Sequence, residues 1–169
     1  ELRGNPPAAP RRRRSGRLEA EEARKLYTLN MAHCAAAYLG VPMGLETSLD
    51  AIRNPRIERA IADALSEASV GLAGEYGFTG AEMLAWSEVI LSLLRNPHMS
   101  DPLRRLGADT RRKLARADRL VTPALLCLKY GGVPLALSRV IRAGYEFTND
   151  DPGTRHVRLL VETTGLENA

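Results

Sequence analysis

The sequence predicts an all-α fold, organised as a single multi-helix domain. Alanine and leucine are abundant and aromatic residues make up only 5% of the chain, which favours helices over sheets. Apolar residues recur three and four positions apart, and no segment alternates between apolar and polar residues as a half-buried strand would. With 169 residues, 44% of them hydrophobic, the chain is long enough to bury one substantial core.

The first sixteen residues are predicted to be a disordered segment that precedes this domain. Residues 1–16 contain three prolines, two glycines and a run of four arginines, a composition that cannot bury a core. The helical domain is expected over residues 17–169. Residues 1–17 hold six arginines against one glutamate, whereas the remaining 18 basic and 19 acidic residues sum to −1, so the net charge of +4 originates in the tail. The absence of an initiator methionine fits a fragment of a longer chain.

Apolar periodicity, together with turn and cap residues, divides the domain into helices. These are predicted over residues 17–39, 55–76, 81–95, 102–106, 110–116, 119–130, 135–147 and 151–163. Gly40 ends the first helix, and the turn-rich residues 41–53 lead to the second. Thr79 is expected to cap the third helix, and Asp101 and Asp109 to cap the two short helices that follow.

The cysteines and histidines bear on the cellular compartment of the protein and on whether it binds a metal. Cys34 and Cys127 are far apart and neither belongs to a C-x-x-C pair, so without a signal peptide they indicate a reducing compartment, the cytosol. His33, His98 and His156 have no metal-ligand spacing, and no metal site is expected. No apolar run approaches the roughly 20 residues of a membrane span.

The first helix carries an amine, an amide and an imidazole in the stretch Lys25-Leu-Tyr-Thr-Leu-Asn30-Met-Ala-His33. A lysine can accept the proton of a hydroxyl group, while an amide and an imidazole can hold the oxygen as charge develops on it. The three residues lie at about 0°, 140° and 80° around an ideal helix, with about 12 Å along the axis from first to last. Either the backbone departs from an ideal helix, or an elongated substrate lies along this face. The alternative interpretation is that neither residue is catalytic, so that Lys25 is a solvated helix lysine and His33 a partly buried helix histidine.

A second feature is a concentration of positive charge. Seven cations lie within sixteen residues, and they are Arg104, Arg105, Arg111, Arg112, Lys113, Arg116 and Arg119. Guanidinium groups that converge from two short helices suit a phosphate or a carboxylate. The alternative is a solvated basic surface whose partners are Asp101, Asp109 and Asp118.

Taken together, residues 22–160 resemble the C-terminal helical domain of the polyol-specific long-chain dehydrogenases. The resemblance rests on the Lys25–His33 stretch and on Ala37-Tyr-Leu-Gly40, Glu75-Tyr-Gly-Phe78, Arg95-Asn-Pro97, Arg105-Leu-Gly107, Arg112-Lys-Leu114, Asp118-Arg-Leu120, Lys129-Tyr-Gly131 and Asp150-Asp-Pro152. The order and spacing of so many short pieces make it far more specific than the lysine–asparagine–histidine pattern alone.

The resemblance implies a role for each candidate residue. Lys25 is expected to be the general acid/base, and Asn30 and His33 to bind and polarise the reacting oxygen. Arg105 and Lys113 are expected to contact the substrate. The neighbouring cations Arg104 and Arg112 are expected to assist in holding its phosphate.

The resemblance also implies a cofactor and a partner domain. In this family NAD is bound by an N-terminal Rossmann domain, and no dinucleotide-binding fingerprint occurs in these 169 residues. The expected reaction is the NAD-dependent interconversion of mannitol 1-phosphate and fructose 6-phosphate. It would require the Rossmann domain in cis or in trans, so the chain by itself is expected to be inactive.

One departure from the family pattern keeps other functions open. Ala108 stands where the family has a further arginine, so one anion contact is lost and a free hexitol or a hexuronate becomes an alternative substrate. Arg104 or Arg111 could compensate for the lost contact. A non-catalytic helical remnant, or a nucleic-acid-binding module that uses the Arg11–Arg14 run, are further alternatives. The body of the chain has no aromatic–basic interleaving that would favour nucleic acid.

Overall fold

The computed structural model describes the backbone of residues 11–166 and the side chains of residues 16–166. Within that part of the chain the structure is helical, and its β pairing consists of one isolated bridge, which confirms the all-α prediction. The elements in order are α1 (Arg11–Lys25), a π-turn (Leu26–Asn30), α2 (Met31–Gly40), a 3-10 turn (Val41–Met43), α3 (Ser48–Arg53), α4 (Pro55–Tyr76), α5 (Gly80–Arg95), a 3-10 turn (Pro97–Met99), α6 (Leu103–Gly107), α7 (Thr110–Lys113), α8 (Val121–Lys129), α9 (Leu135–Glu146) and α10 (Pro152–Thr164).

The predicted N-caps have different outcomes. Thr79 forms a capping box with Glu82 at the start of α5, as expected. Asp101 does not cap α6, which begins at Leu103 without a side-chain cap, because its carboxylate pairs with an arginine one turn further on. Asp109 does not cap α7 either, since its backbone is left-handed, and that helix ends at Lys113 instead of residue 116.

Helix α1 begins inside the segment that the composition predicts to be disordered. Its backbone is helical from Arg11 onward, so the last six of residues 1–16 belong to α1. Residues 1–10 and 167–169 lie outside the described residues. The predicted boundary between a disordered segment and the helical domain, at residue 16, stays a prediction.

The core is built around α2 and the long helix α4. Eight of the ten residues of α2 are buried, and the helix packs against α3, α4, α6 and α9. Its alanine-rich sequence lets the neighbouring helices approach closely. Helix α4 packs most extensively against α8, where a Cβ on Gly71 would lie 2.6 Å from the Cβ of Leu126 and 2.8 Å from the backbone nitrogen of Cys127.

Helix α6 packs against α2, and its first residue, Leu103, lies against Gly40 at the end of that helix. The turn before α6 is tied to the start of α3, because the Ser48 amide donates to the Asp101 carbonyl at 2.9 Å and the Leu103 amide donates to the Glu46 carbonyl at 2.8 Å. Leu103 itself is fully buried. The two arginines that follow it are therefore held beside the helix that carries His33.

Two further findings concern membrane-spanning helices and the two cysteines. Among the described helices, none combines the length and the apolar character needed to cross a membrane. Cys34 and Cys127 are both free and buried.

Candidate functional site

A π-turn over Leu26–Asn30 interrupts the helix that carries the lysine, the asparagine and the histidine. Backbone hydrogen bonds in a π-turn run from residue i to residue i+5, so the turn holds one residue more than a turn of α-helix. Each residue beyond a single such turn is rotated by about 100° relative to an uninterrupted helix. Of the two possibilities that the spacing leaves open, the structure thus shows a departure from an ideal helix.

In an idealised helix, one extra residue at this point brings Lys25, Asn30 and His33 onto one face. Asn30 and His33 then lie at about 40° and −20° from Lys25, instead of about 140° and 80°. The axial distance from Lys25 to His33 remains about 11 Å. The three groups therefore form a row in which each follows the last by about one turn.

A buried hydroxyl group anchors the π-turn to α5. Thr28 is fully buried, and its hydroxyl donates to the carbonyl of Arg24 and accepts a hydrogen bond from the Trp86 indole nitrogen at 2.9 Å. A threonine that bonds back one turn along a helix distorts the backbone at that point. The guanidinium of Arg24 lies over the Trp86 ring at 4.4 Å and the Phe78 ring at 5.0 Å. Arg24 at the end of α1 and Thr28 in the π-turn are therefore both held against α5.

Lys25 and Asn30 differ in their surroundings. Lys25 is exposed, and within the described residues it makes no hydrogen bond or ion pair. Asn30 is half-buried at the junction of the π-turn and α2. The described residues thus leave the Lys25 amine accessible and do not exclude water from it.

His33 lies among the cations of the predicted substrate site. Burial lowers the pKa of His33, Asp101 opposes that effect, and Arg105, Arg119 and Lys113 lower the pKa further. An imidazole with a lowered pKa is neutral at neutral pH, so it offers one donor and one acceptor but no charge. Arg105, Lys113 and Arg119 therefore lie close enough to His33 to act on its charge.

Lys113 is the most buried of these cations, with 6% of its surface exposed. Its ammonium donates to the carbonyl of Leu106 at 2.6 Å, which closes the turn between α6 and α7. Burial lowers the pKa of Lys113, and the pKa is lowered further by Arg119 and Arg112. A buried amine surrounded by other cations is favourably placed to receive an anion.

The other predicted substrate residues are engaged with protein groups. Arg105 pairs with Asp101 and Arg112 pairs with Asp109 and Asp118, at 2.7 Å and 3.3 Å. Arg104 is exposed and donates to a backbone carbonyl at 3.3 Å. The partners expected from the alternative interpretation of this surface are thus present. Exposed ion pairs of this kind contribute little energy, and an incoming anion can compete for the arginines.

Arg119 belongs to the site, although sequence reasoning assigned no role to it. Only 14% of its side chain is exposed, and its Nε donates to Asp118 at 2.7 Å. It lowers the pKa of His33, Cys34 and Lys113. Two signals in the sequence point to it, namely its place among the seven cations and its place within the Asp118-Arg-Leu120 piece of the resemblance.

The fold is an all-helical domain, and its candidate site gathers several cations around a half-buried histidine. A family model described as the mannitol dehydrogenase C-terminal domain matches residues 17–159. The chain therefore belongs to this family of polyol dehydrogenases, which confirms the resemblance seen in the sequence.

Two relatives make the comparison more specific. Mannitol-1-phosphate 5-dehydrogenase of Oceanobacillus iheyensis is 35% identical over 148 residues, which are 86% of this chain and 38% of the relative. Mannitol-1-phosphate 5-dehydrogenase of Paenarthrobacter aurescens is 36% identical over 161 residues, which are 94% of this chain and 42% of the relative. The chain thus spans about two fifths of the length of the curated relatives that it matches.

Proposed function

We propose that the chain supplies the substrate-binding and acid/base half of an NAD-dependent oxidoreductase that interconverts mannitol 1-phosphate and fructose 6-phosphate. The observation that carries the proposal is the meeting of His33 with Arg105 and Lys113, next to a row that ends in Lys25. The two relatives named as mannitol-1-phosphate 5-dehydrogenases support the phosphorylated substrate. The reaction is assigned to the cytosol, following the unpaired cysteines.

Each residue has a distinct part in this proposal. Lys25 takes the proton of the reacting hydroxyl group. Asn30 and the neutral His33 donate hydrogen bonds to the oxygen as it becomes negatively charged. Arg105 and Lys113 hold the phosphate, with Arg104 and Arg112 beside them.

The described residues do not fit the nicotinamide cofactor. They contain no strand whose end could present a glycine-rich turn to a dinucleotide. We therefore assign NAD, the hydride acceptor in this proposal, to an N-terminal Rossmann domain in cis or in trans. That domain would also cover Lys25, because a lysine that acts as a base near neutral pH has to be removed from water.

Calorimetric titration of the purified chain tests the substrate. Mannitol 1-phosphate is expected to bind more tightly than mannitol, and Arg105→Ala should remove that preference. Arg139→Ala, an exposed arginine on α9, is the matched control and should leave it unchanged. Equal binding of mannitol and mannitol 1-phosphate would overturn the phosphorylated substrate and favour a free hexitol.

A chimera tests the acid/base role. Residues 17–169 would replace the matching stretch of the Oceanobacillus iheyensis relative, and NADH formation from mannitol 1-phosphate would be followed. Lys25→Ala should lower kcat by about 10²–10⁴-fold, the usual contribution of a general base. Lys129→Ala, an exposed lysine on α8, should leave turnover unchanged. Undiminished turnover in the Lys25→Ala chimera would refute the mechanism.

A further inference from the structure

The Asp150-Asp151-Pro152 piece of the sequence has no role in the proposed chemistry. Its second carboxylate nevertheless receives four hydrogen bonds. Oδ1 of Asp151 accepts from the amides of Thr154, at 2.9 Å, and Asp109, at 3.1 Å. Oδ2 accepts from the Thr154 hydroxyl, at 2.7 Å, and the Asn149 side-chain amide, at 2.9 Å. Asp151 thus caps α10 and at the same time reaches the residue that precedes α7.

The four predicted substrate cations all lie in one segment, residues 104–113, which we call the cation loop. Besides Asp151, two contacts join this loop to residues 149–154. The Asn149 amide donates to the Arg104 carbonyl at 3.1 Å, and the buried hydroxyl of Thr110 donates to that of Thr154 at 3.2 Å. The cation loop is therefore held from outside at its beginning, its middle and the start of α7.

The hydrogen bond from the Asp109 amide to Asp151 lies at the residue of the cation loop that has a strained backbone conformation. Asp109 is the one non-glycine residue with positive φ in the described part of the chain, at φ 59° and ψ 51°. This left-handed conformation is costly for a residue with a side chain and persists when its surroundings enforce it. The Asp109 carbonyl accepts from the Lys113 amide at 3.2 Å, and its carboxylate accepts from Arg112 at 2.7 Å. Turning Asp109 would therefore turn both cations.

The contact on the other side of Asp109 is equally close. A Cβ on Gly153 would lie 2.6 Å from an Asp109 side-chain oxygen and 3.0 Å from the Asp109 Cα. The start of α10 thus presses directly on the strained residue. An added methyl group at residue 153 would push the loop away while leaving the Asp151 carboxylate in place.

We propose that Asp151 is a positioning residue for the anionic end of the substrate. Its carboxylate holds the Asp109 backbone in the left-handed conformation, and this conformation aims Lys113 and Arg112. The inference rests on the proposed function, because it assumes that these cations receive a phosphate.

Three variants of the 169-residue chain test this role. Asp151→Asn weakens the carboxylate, and Gly153→Ala displaces Asp109 without changing any charge. Asp150→Asn is the matched control, since the neighbouring Asp150 side chain is 94% exposed and pairs with Arg155. Each is titrated with mannitol 1-phosphate, mannitol and inorganic phosphate, and the backbone amides of residues 109–113 are followed by NMR.

Asp151→Asn and Gly153→Ala should each weaken mannitol 1-phosphate binding about tenfold, the effect of losing one charge-assisted hydrogen bond. Binding of mannitol should change little, and Asp150→Asn should match the wild type. Equal weakening of both polyols would show a purely structural role and overturn the proposal. Shifted amides in residues 109–113 with unchanged phosphate affinity would also overturn it.

The failure of the proposed function gives a different result. If the wild-type chain does not prefer mannitol 1-phosphate over mannitol, the phosphorylated substrate is wrong. Asp151 is then judged on inorganic phosphate, whose binding should still be weaker in Asp151→Asn than in Asp150→Asn. A wild-type chain that binds no phosphate compound overturns both proposals.

Discussion

His33 illustrates how a single residue acquires its chemistry from its neighbours. Burial and the cations of α6 and α7 oppose a positive charge on its imidazole, and Asp101 compensates only in part. The neutral ring can donate one hydrogen bond to a substrate oxygen without competing with the arginines for an anion. In the proposed mechanism, charge recognition and oxygen polarisation are therefore divided between different side chains.

The lowered pKa of His33 predicts a pH dependence of stability. The unfolded chain takes up a proton near the ordinary value of 6.5, before the folded chain does. Stability is therefore expected to fall as the pH drops below about 6.5, until His33 protonates in the folded state as well. Above that pH the ring is neutral in both states and contributes no such effect.

Replacement of the imidazole tests this prediction. His33→Gln keeps a hydrogen-bond donor but does not titrate, so its stability should decline less between pH 7 and pH 5 than that of the wild type. His98→Gln, at an exposed position, is the control and should follow the wild-type curve. Urea unfolding at several pH values measures the difference, and parallel curves for wild type and His33→Gln would contradict it.

At the scale of the element, the π-turn is the feature that converts a sequence spacing into a row of side chains. A continuous α-helix would turn Asn30 and His33 away from Lys25 by about 100°. The insertion is stabilised by the Thr28 hydroxyl, which is bonded on both sides. The site therefore depends on a contact between α5 and a turn that precedes α2.

Thr28→Val tests the anchor of the π-turn. The shape of the side chain is kept while both hydrogen bonds are lost, and the Trp86 indole nitrogen is left without its acceptor. Unfolding free energy should fall by about 1–3 kcal/mol, as expected when a donor of this kind loses its partner. Thr122→Val, which removes an exposed bond to the Arg116 carbonyl, should cost less. Similar losses in both variants, measured by urea unfolding, would show that the anchor has no special role.

The contact between α4 and α8 gives a second prediction for an element. Gly71→Ala would place a methyl group against the backbone of α8 and should force the two helices apart, at a cost of about 1–3 kcal/mol. Gly80→Ala at the start of α5 meets no atom within 4 Å and should be neutral or stabilising. Thermal unfolding of the two variants compares them directly. An unchanged Gly71→Ala variant would mean that α8 can shift without loss.

At the scale of the whole molecule, two segments are especially rich in positive charge. The amino-terminal residues 1–16 hold five arginines against one glutamate, and the second group of cations lies around the candidate site. The first group favours a diffuse electrostatic interaction with polyanions. The second is paired with aspartates, so a small anion has to compete with their carboxylates for the cations.

Deletion of residues 1–16 separates these two groups. In the intact chain, any binding to duplex DNA should weaken steeply as the salt concentration rises. In the deletion variant, that binding should be lost. Binding of mannitol 1-phosphate should persist, because none of its proposed contacts lies in that segment. Fluorescence anisotropy and calorimetry measure the two activities. Loss of polyol phosphate binding with the tail would show that the tail belongs to the site.

The sequence by itself determined the helical class, the limits of α4 and the cap at Thr79. These features follow from apolar periodicity and from hydrogen bonds between residues three or four positions apart, so they can be predicted from the local sequence. It also indicated the family, through short pieces in a fixed order. The individual roles of Lys25, Asn30 and His33 remain predictions.

Only the tertiary structure decided how these residues are arranged. The π-turn depends on Trp86, 58 residues away from its partner Thr28, and the conformation of Asp109 depends on Asp151, 42 residues further along the chain. The same long-range packing brought Arg119 near His33 and holds Asp109 in the conformation that keeps it from capping α7. Spacing along a chain reports local hydrogen bonds, whereas the direction in which a functional side chain points is set by whatever the fold packs against it.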